Sequence, residues 1–134
     1  MFREDFVWGV ASSAYQVEGT DAADGRGACV WDMFAADGRV FEHQNAGTSC
    51  DHMHHYKEDI ALMKHLGIRA YRFSLNWARI LPEGTGRVNE KAIAMYRDMI
   101  LTMKENGITP YLTLFHWEFP QALYERGGWQ NPDV

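Results

Sequence analysis

The side chains in this chain that could do chemistry are Gln16, Glu18, Arg72, Asn76, His116, Trp117 and Glu118. Arg72 is the most demanding of them, because an inward-pointing guanidinium is costly unless an anion meets it. That anion is either a carboxylate at a functional site or a structural aspartate such as Asp51. Taken alone, His116 reads first as a satisfied core or loop histidine. The run Cys50–His55 (CDHMHH) invites a metal reading. Catalytic zinc, however, needs three converging ligands, with helical histidines four apart or a defined loop spacing. His52 and His54 are two apart, and His54 and His55 are adjacent, so no pair shares a helix face and no metal is expected. Gly25-Arg26-Gly27 fits neither a phosphate-loop nor a dinucleotide pattern and reads as a turn, so no cofactor is expected either.

These groups need elements to hold them, and the chain contains a repeat. GIRAYRFSLNW at 67–77 and GITPYLTLFHW at 107–117 align at an offset of forty, matching Gly67 with Gly107, Tyr71 with Tyr111 and Trp77 with Trp117. A helical pattern precedes each stretch. In the second, Asn89 is an N-cap, Ile93, Tyr96, Ile100 and Met103 recur at spacings of three and four, and Gly107 is the stop. The first uses Tyr56, Ile60 and Met63, with Gly67 as its stop. Each glycine is followed by an aromatic and aliphatic run that reads as a strand, and Phe6–Ala11 reads as an earlier one.

Strand–helix–strand–helix–strand in short order implies parallel strands joined by right-handed crossovers. In the second strand, alternation puts Arg72, Ser74 and Asn76 on the face opposite Tyr71, Phe73 and Leu75. In a doubly wound sheet, a helix would cover that polar face. In a barrel, polar side chains point inward near the C-terminal strand ends, where the catalytic groups of such folds lie. The fold class is therefore α/β, a partial (β/α)₈ barrel of about three strand–helix units. The same parity, carried across the repeat, puts His116 in the place of Asn76. The glycine-containing stretch after the first strand, some forty residues long, emerges at the same end and reads as a functional loop.

Composition narrows the classes further. With 46% hydrophobic and 23% charged residues the chain is an ordinary globular one, and a net charge of −5 without a basic stripe argues against nucleic acid. No run approaches the eighteen apolar residues of a membrane span, and MFREDFVWGVASSAY lacks the long apolar core of a signal peptide. Two cysteines, Cys29 and Cys50, suit a reducing compartment, so a cytoplasmic location is expected. Three strands do not close a barrel of eight, and Asn131-Pro132-Asp133 has the chemistry of a helix start. Residues 1–134 thus read as the N-terminal part of one incomplete barrel domain.

FVWGVASSAYQVEG, DGRGACVWDMF, CDHMHHYKEDIALMKHLGIRAYRFSLNWARILPEG and TLFHWEFPQALYERGGWQNP, in that order, resemble the opening third of a glycoside hydrolase family 1 β-glucosidase. The resemblance implies hydrolysis of a β-linked glucoside or related small sugar, with retention of configuration. It implies that Gln16 and His116 hydrogen-bond the sugar, that Trp117 walls its subsite, and that Arg72 sits beneath the nucleophilic glutamate and keeps it ionised. It makes Glu118, standing where the family usually has aspartate, and Glu18 structural. The family's acid/base glutamate follows strand four and its nucleophile strand seven, so neither is expected here and the isolated chain is expected to be inactive. The remainder of the barrel, as a second chain or by self-association, is the implied partner. A non-catalytic carbohydrate-binding or structural fragment is the alternative.

Overall fold

The computed structural model describes residues 1–20 and 22–134. Three parallel strands lie in chain order, β1 (Val10–Ala11), β2 (Ala70–Ser74) and β3 (Thr109–Thr113). Between β1 and β2 run α1 (Ala14–Val17), α2 (Val30–Ala36) and α3 (His52–His65). Between β2 and β3 run α4 (Trp77–Ile80) and α5 (Glu90–Glu105), and α6 (Gln121–Glu125) follows β3. This is a sector of a (β/α)₈ barrel, with the long helices α3 and α5 on its outer face.

The helices begin and end for the local reasons legible in the chain. Asn89 caps α5 by accepting the Ala92 N–H, and Gly67 and Gly107, at φ +77° and +73°, turn the chain out of α3 and α5. Their inner stripes meet the outer side of β2 and β3. Ile60, Tyr71, Phe73, Tyr96, Met99, Met103 and Ile108 form one buried cluster, with Tyr56 and Met63 packed against it. Ile93, read as part of that stripe, is instead exposed. It borders an open apolar groove with Leu75, Ile80, Ile100 and Leu112, because Ala92 and Met99 take the inward positions.

Two strand expectations need correction. The paired part of β1 is Val10–Ala11, shorter than Phe6–Ala11; Phe2, Phe6 and Trp8 instead gather ring to ring at 4.6–4.9 Å. The second correction concerns faces. The repeat aligns residues forty apart, but the sheet pairs residues thirty-nine apart, with Arg72 opposite Tyr111 and Tyr71 opposite Pro110. A one-residue slip moves every side chain to the other face. Tyr71 is therefore buried against the helices, while Tyr111, its sequence match, lies half exposed beside Arg72. The inward residues of β3 are Thr109, Tyr111 and Thr113, so strand parity does not carry His116 inward.

The described residues between β1 and α3 form short helices and turns rather than loose chain. Gly27 seats this segment: its N–H donates to the Ala78 carbonyl at 2.8 Å, and a Cβ there would lie 2.0 Å from the Pro82 carbonyl oxygen. At the other end of the chain, Asn131 Oδ1 accepts the Asp133 N–H at 3.0 Å, the bond an N-cap makes, and residues 131–134 form a turn.

The glycines separate steric from conformational cost. Gly67→Ala meets no atom within 4 Å and is strained only by its positive φ, costing about 1–2 kcal/mol. Gly27→Ala drives a methyl into backbone, costing about 3 kcal/mol. Denaturant midpoints of the two variants should rank in that order, and equal losses would show that the Pro82 segment yields freely.

Candidate functional site

The C-terminal ends of the three strands converge on α1, a single helical turn that carries Gln16. So short a helix cannot satisfy its own leading amides, and Ser13 at its N-cap position offers them no side-chain bond. Distant residues do so instead. The Ala14 N–H donates to Ser74 Oγ, at the end of β2, at 2.8 Å. The Tyr15 N–H donates to Glu118 Oε1, beyond β3, at 2.9 Å. Ser74 and Glu118 are each about 1% exposed. Burial raises the Glu118 carboxyl above its ordinary value, against the pull of the Tyr15 amide. Glu118 is thus a cap on the Gln16 turn, in keeping with a structural role.

Behind the turn lies a buried ion pair. Glu18, one residue past α1, accepts from Arg79 Nε at 3.2 Å and from the Tyr96 hydroxyl at 2.7 Å. Arg79 also donates to the Gly19 carbonyl at 3.1 Å and to Asp24 at 3.3 Å. Asn76 completes the knot: it caps α4 by accepting the Arg79 N–H, and its own N–H donates to the Tyr96 oxygen at 3.0 Å. Glu18 and Asn76 stood out in the chain, whereas Arg79 did not. An arginine on an amphipathic turn carries no mark of a partner 61 residues away.

Arg72 lies on the inner face with Ala11 and Tyr111 and is half buried rather than enclosed. Its Nε donates to Thr113 Oγ1 at 2.7 Å. The structural alternative, a pair with Asp51, is excluded: Asp51 instead binds His54 at 2.6 Å and approaches His55 at 3.8 Å. Among the described residues no carboxylate pairs with Arg72, and its guanidinium faces the open interior.

His116 and Trp117 follow β3 and reach the strand ends through a backbone turn. Trp117 has φ +75°, a left-handed conformation that costs a bulky residue free energy, and the residue is 67% exposed. The half-buried His116 has its Nδ1 buried without a protein partner. Gln16 is exposed on α1, and Ser13 Oγ donates to its Oε1 at 2.7 Å. The site therefore offers an amide, an imidazole with an unengaged nitrogen, an exposed indole face and a guanidinium without an anion. Among the described residues no group of three metal-ligating side chains converges. Glu105-Asn106-Gly107 closes α5 at the opposite end of β3 from the site. Glu105 is exposed there, and Gly107 is simply the helix stop.

Burial pushes the Glu18 carboxyl up to about 7 from 4.5, against the downward pull of Arg79 and Tyr96. The folded state then holds a proton that the unfolded chain releases over that interval. Its contribution to stability is full at low pH and is lost as pH rises through about 7. Glu18→Gln removes this dependence, so between pH 5 and pH 7.5 the parent's melting midpoint should fall relative to the variant's. A parent midpoint that instead rises relative to the variant's would show that Arg79 holds the carboxyl ionised.

The chain is similar to known proteins over nearly its whole length. The family model for glycosyl hydrolase family 1 matches residues 1–134. β-Glucosidase A of Acetivibrio thermocellus is 47% identical over 134 residues, covering 99% of this chain and 30% of that protein. β-Glucosidase A of Thermotoga maritima is 48% identical, again over 99% of this chain and 30% of the relative. The solved structure of the Thermotoga maritima β-glucosidase in complex with deoxynojirimycin superposes with a TM-score of 0.92 at 49% identity, over 97% of this chain and 30% of that one. The chain thus spans about 30% of the length of the proteins it matches, and throughout that span it belongs to glycosyl hydrolase family 1.

Proposed function

We propose that residues 1–134 form the opening sector of a single barrel domain of a retaining β-glycosidase acting on β-linked glucosides or related small sugars. The observation that supports this reading is the pair of bonds seating the Gln16 turn on β2 and on the segment after β3, from the Ala14 N–H to Ser74 and from the Tyr15 N–H to Glu118, which neighbours His116 and Trp117 in the chain. Gln16 and His116 bind sugar hydroxyls, and the exposed Trp117 indole supplies the flat apolar face against which a pyranose ring lies. Arg72 stands ready for a carboxylate from another part of the barrel. Retaining hydrolysis uses one carboxyl group to protonate the leaving oxygen and a second, about 5 Å away, to attack the anomeric carbon. Neither is assigned within this chain. Glu118 is occupied as a cap and Glu18 is held by Arg79 and Tyr96.

The isolated 134 residues should therefore fail to hydrolyse aryl β-glucosides. Turnover that is measurable and disappears in Glu118→Gln would make Glu118 catalytic and overturn its assignment as a cap.

The rest of the barrel is the expected partner, as further polypeptide or as a second chain. The unpaired outer edge of β3, with Leu112 and Leu114 exposed, and the groove between Ile93, Ile100 and Leu112 support this. Alone, the chain should self-associate or aggregate, and sedimentation showing a cooperatively melting monomer would count against an incomplete barrel. The free thiols Cys29 and Cys50 support a reducing, cytoplasmic setting. No described helix is long and apolar enough to cross a membrane.

Arg72 provides a sharper test. An adjacent guanidinium favours the ionised form of a nucleophilic carboxyl. In a completed barrel, Arg72→Met should lower the turnover number far more than it weakens substrate binding. It should also move the acidic limb of the pH–rate profile upward, because the nucleophile then protonates more readily. Near-normal turnover with an unmoved acidic limb would reduce Arg72 to a partner of Thr113.

A further inference from the structure

Gln16 has four polar groups, and three are engaged within the protein. Its backbone N–H donates to the Ser13 carbonyl at 3.1 Å, its backbone carbonyl accepts the Ser49 hydroxyl, and its Oε1 accepts the Ser13 hydroxyl at 2.7 Å. Among the described residues Nε2 has no partner, and Gln16 is exposed. Ser13 is 4% exposed, and the neighbouring Ala14 N–H is fixed on Ser74. The Ser13 hydroxyl has one proton, and Gln16 Oε1 is its acceptor.

That single proton decides which way the amide faces. Were the amide turned over, Nε2 would donate to Ser13 Oγ, and the buried hydroxyl proton would have no acceptor among the described residues. A buried donor left unpaired forfeits its full desolvation cost. We infer that Ser13 is a positioning residue that locks the Gln16 carboxamide with its NH₂ outward, so that an amide N–H donates to the oxygen of a sugar hydroxyl. This inference rests on the reading of Gln16 as a sugar-binding residue. Ser13 itself touches no substrate and acts only through Gln16.

The test uses a complete barrel in which residues 1–134 replace the matching segment of the Thermotoga maritima β-glucosidase. Four proteins are compared with the parent chimera: Ser13→Ala, Ser13→Thr, Gln16→Ala and the Ser13→Ala/Gln16→Ala double variant. The readouts are kcat/KM on 4-nitrophenyl β-D-glucopyranoside, Kd for deoxynojirimycin, and the thermal midpoint. Loss of one orienting hydrogen bond should lower kcat/KM about three- to tenfold in Ser13→Ala, with a comparable weakening of inhibitor binding. Ser13→Thr, which keeps the hydroxyl, should recover most of the loss. In the Gln16→Ala background, Ser13→Ala should cost nothing further. If Ser13→Ala equals the parent, or costs as much in that background as alone, Ser13 does not act through Gln16 and the inference is overturned. If Gln16→Ala leaves both constants unchanged, or a cooperatively melting parent chimera binds no deoxynojirimycin, the sugar-binding reading fails and this inference fails with it.

Discussion

The rest of the site depends on the buried pair of Arg79 with Glu18. Burying a guanidinium beside a carboxyl that is charged only above about pH 7 is unfavourable, and their contact repays it only when the remaining donors and acceptors are also satisfied. Here they largely are. The Tyr96 hydroxyl, the Gly19 carbonyl and Asp24 take up the other bonding positions around the pair. The knot joins the segment after β1 to the helix after β2 and to α5, three pieces far apart in the chain.

The same economy appears at the front of that turn. A one-turn helix is unstable alone, since it fixes several dihedrals for few hydrogen bonds. The protein stabilises α1 by lending it Ser74 and Glu118, one from beside each neighbouring strand. The consequence for recognition is preorganisation. A side chain whose backbone is already bonded at both ends loses little further freedom when it meets a ligand. Trp117, beyond β3, is a strained left-handed residue that is largely exposed.

Electrostatically, the inner face is left incomplete in a directed way. The Arg72 guanidinium has one neutral partner, Thr113, and no anion, whereas Arg26, Arg79 and the exposed Arg3 each have a carboxylate. Arg26 pairs with Asp32, which also accepts the Cys29 N–H, so the charge needed to seat α2 is neutralised locally. The two arginines that serve the scaffold are paired inside it. Of the three arginines that are not exposed, Arg26, Arg72 and Arg79, only Arg72 has no carboxylate among the described residues.

Much of this was legible in the chain before any coordinates. The long helices α3 and α5, their glycine stops, the Asn89 cap and strands β2 and β3 all follow from local signals, because a helix repeat and a left-handed glycine act over a few residues. The family resemblance implied one site for Gln16, Arg72, His116 and Trp117, and the polar parity of β2 correctly turned Arg72 inward. Three things were decided only by tertiary structure. Register was one: the sequence repeat of forty became a pairing of thirty-nine, which turned Tyr71 and Tyr111 to opposite faces. Partner choice was another, since Arg79 meets Glu18 across 61 residues and Tyr15 meets Glu118 across 103. The third was the retreat of Ile93 from the core stripe, set by which side of α5 the sheet presses on. Periodicity specifies how a segment is shaped and which of its faces is apolar. Which distant donor reaches which acceptor depends on how the finished pieces pack, and that is fixed only when burial makes an unpaired polar group too costly to leave.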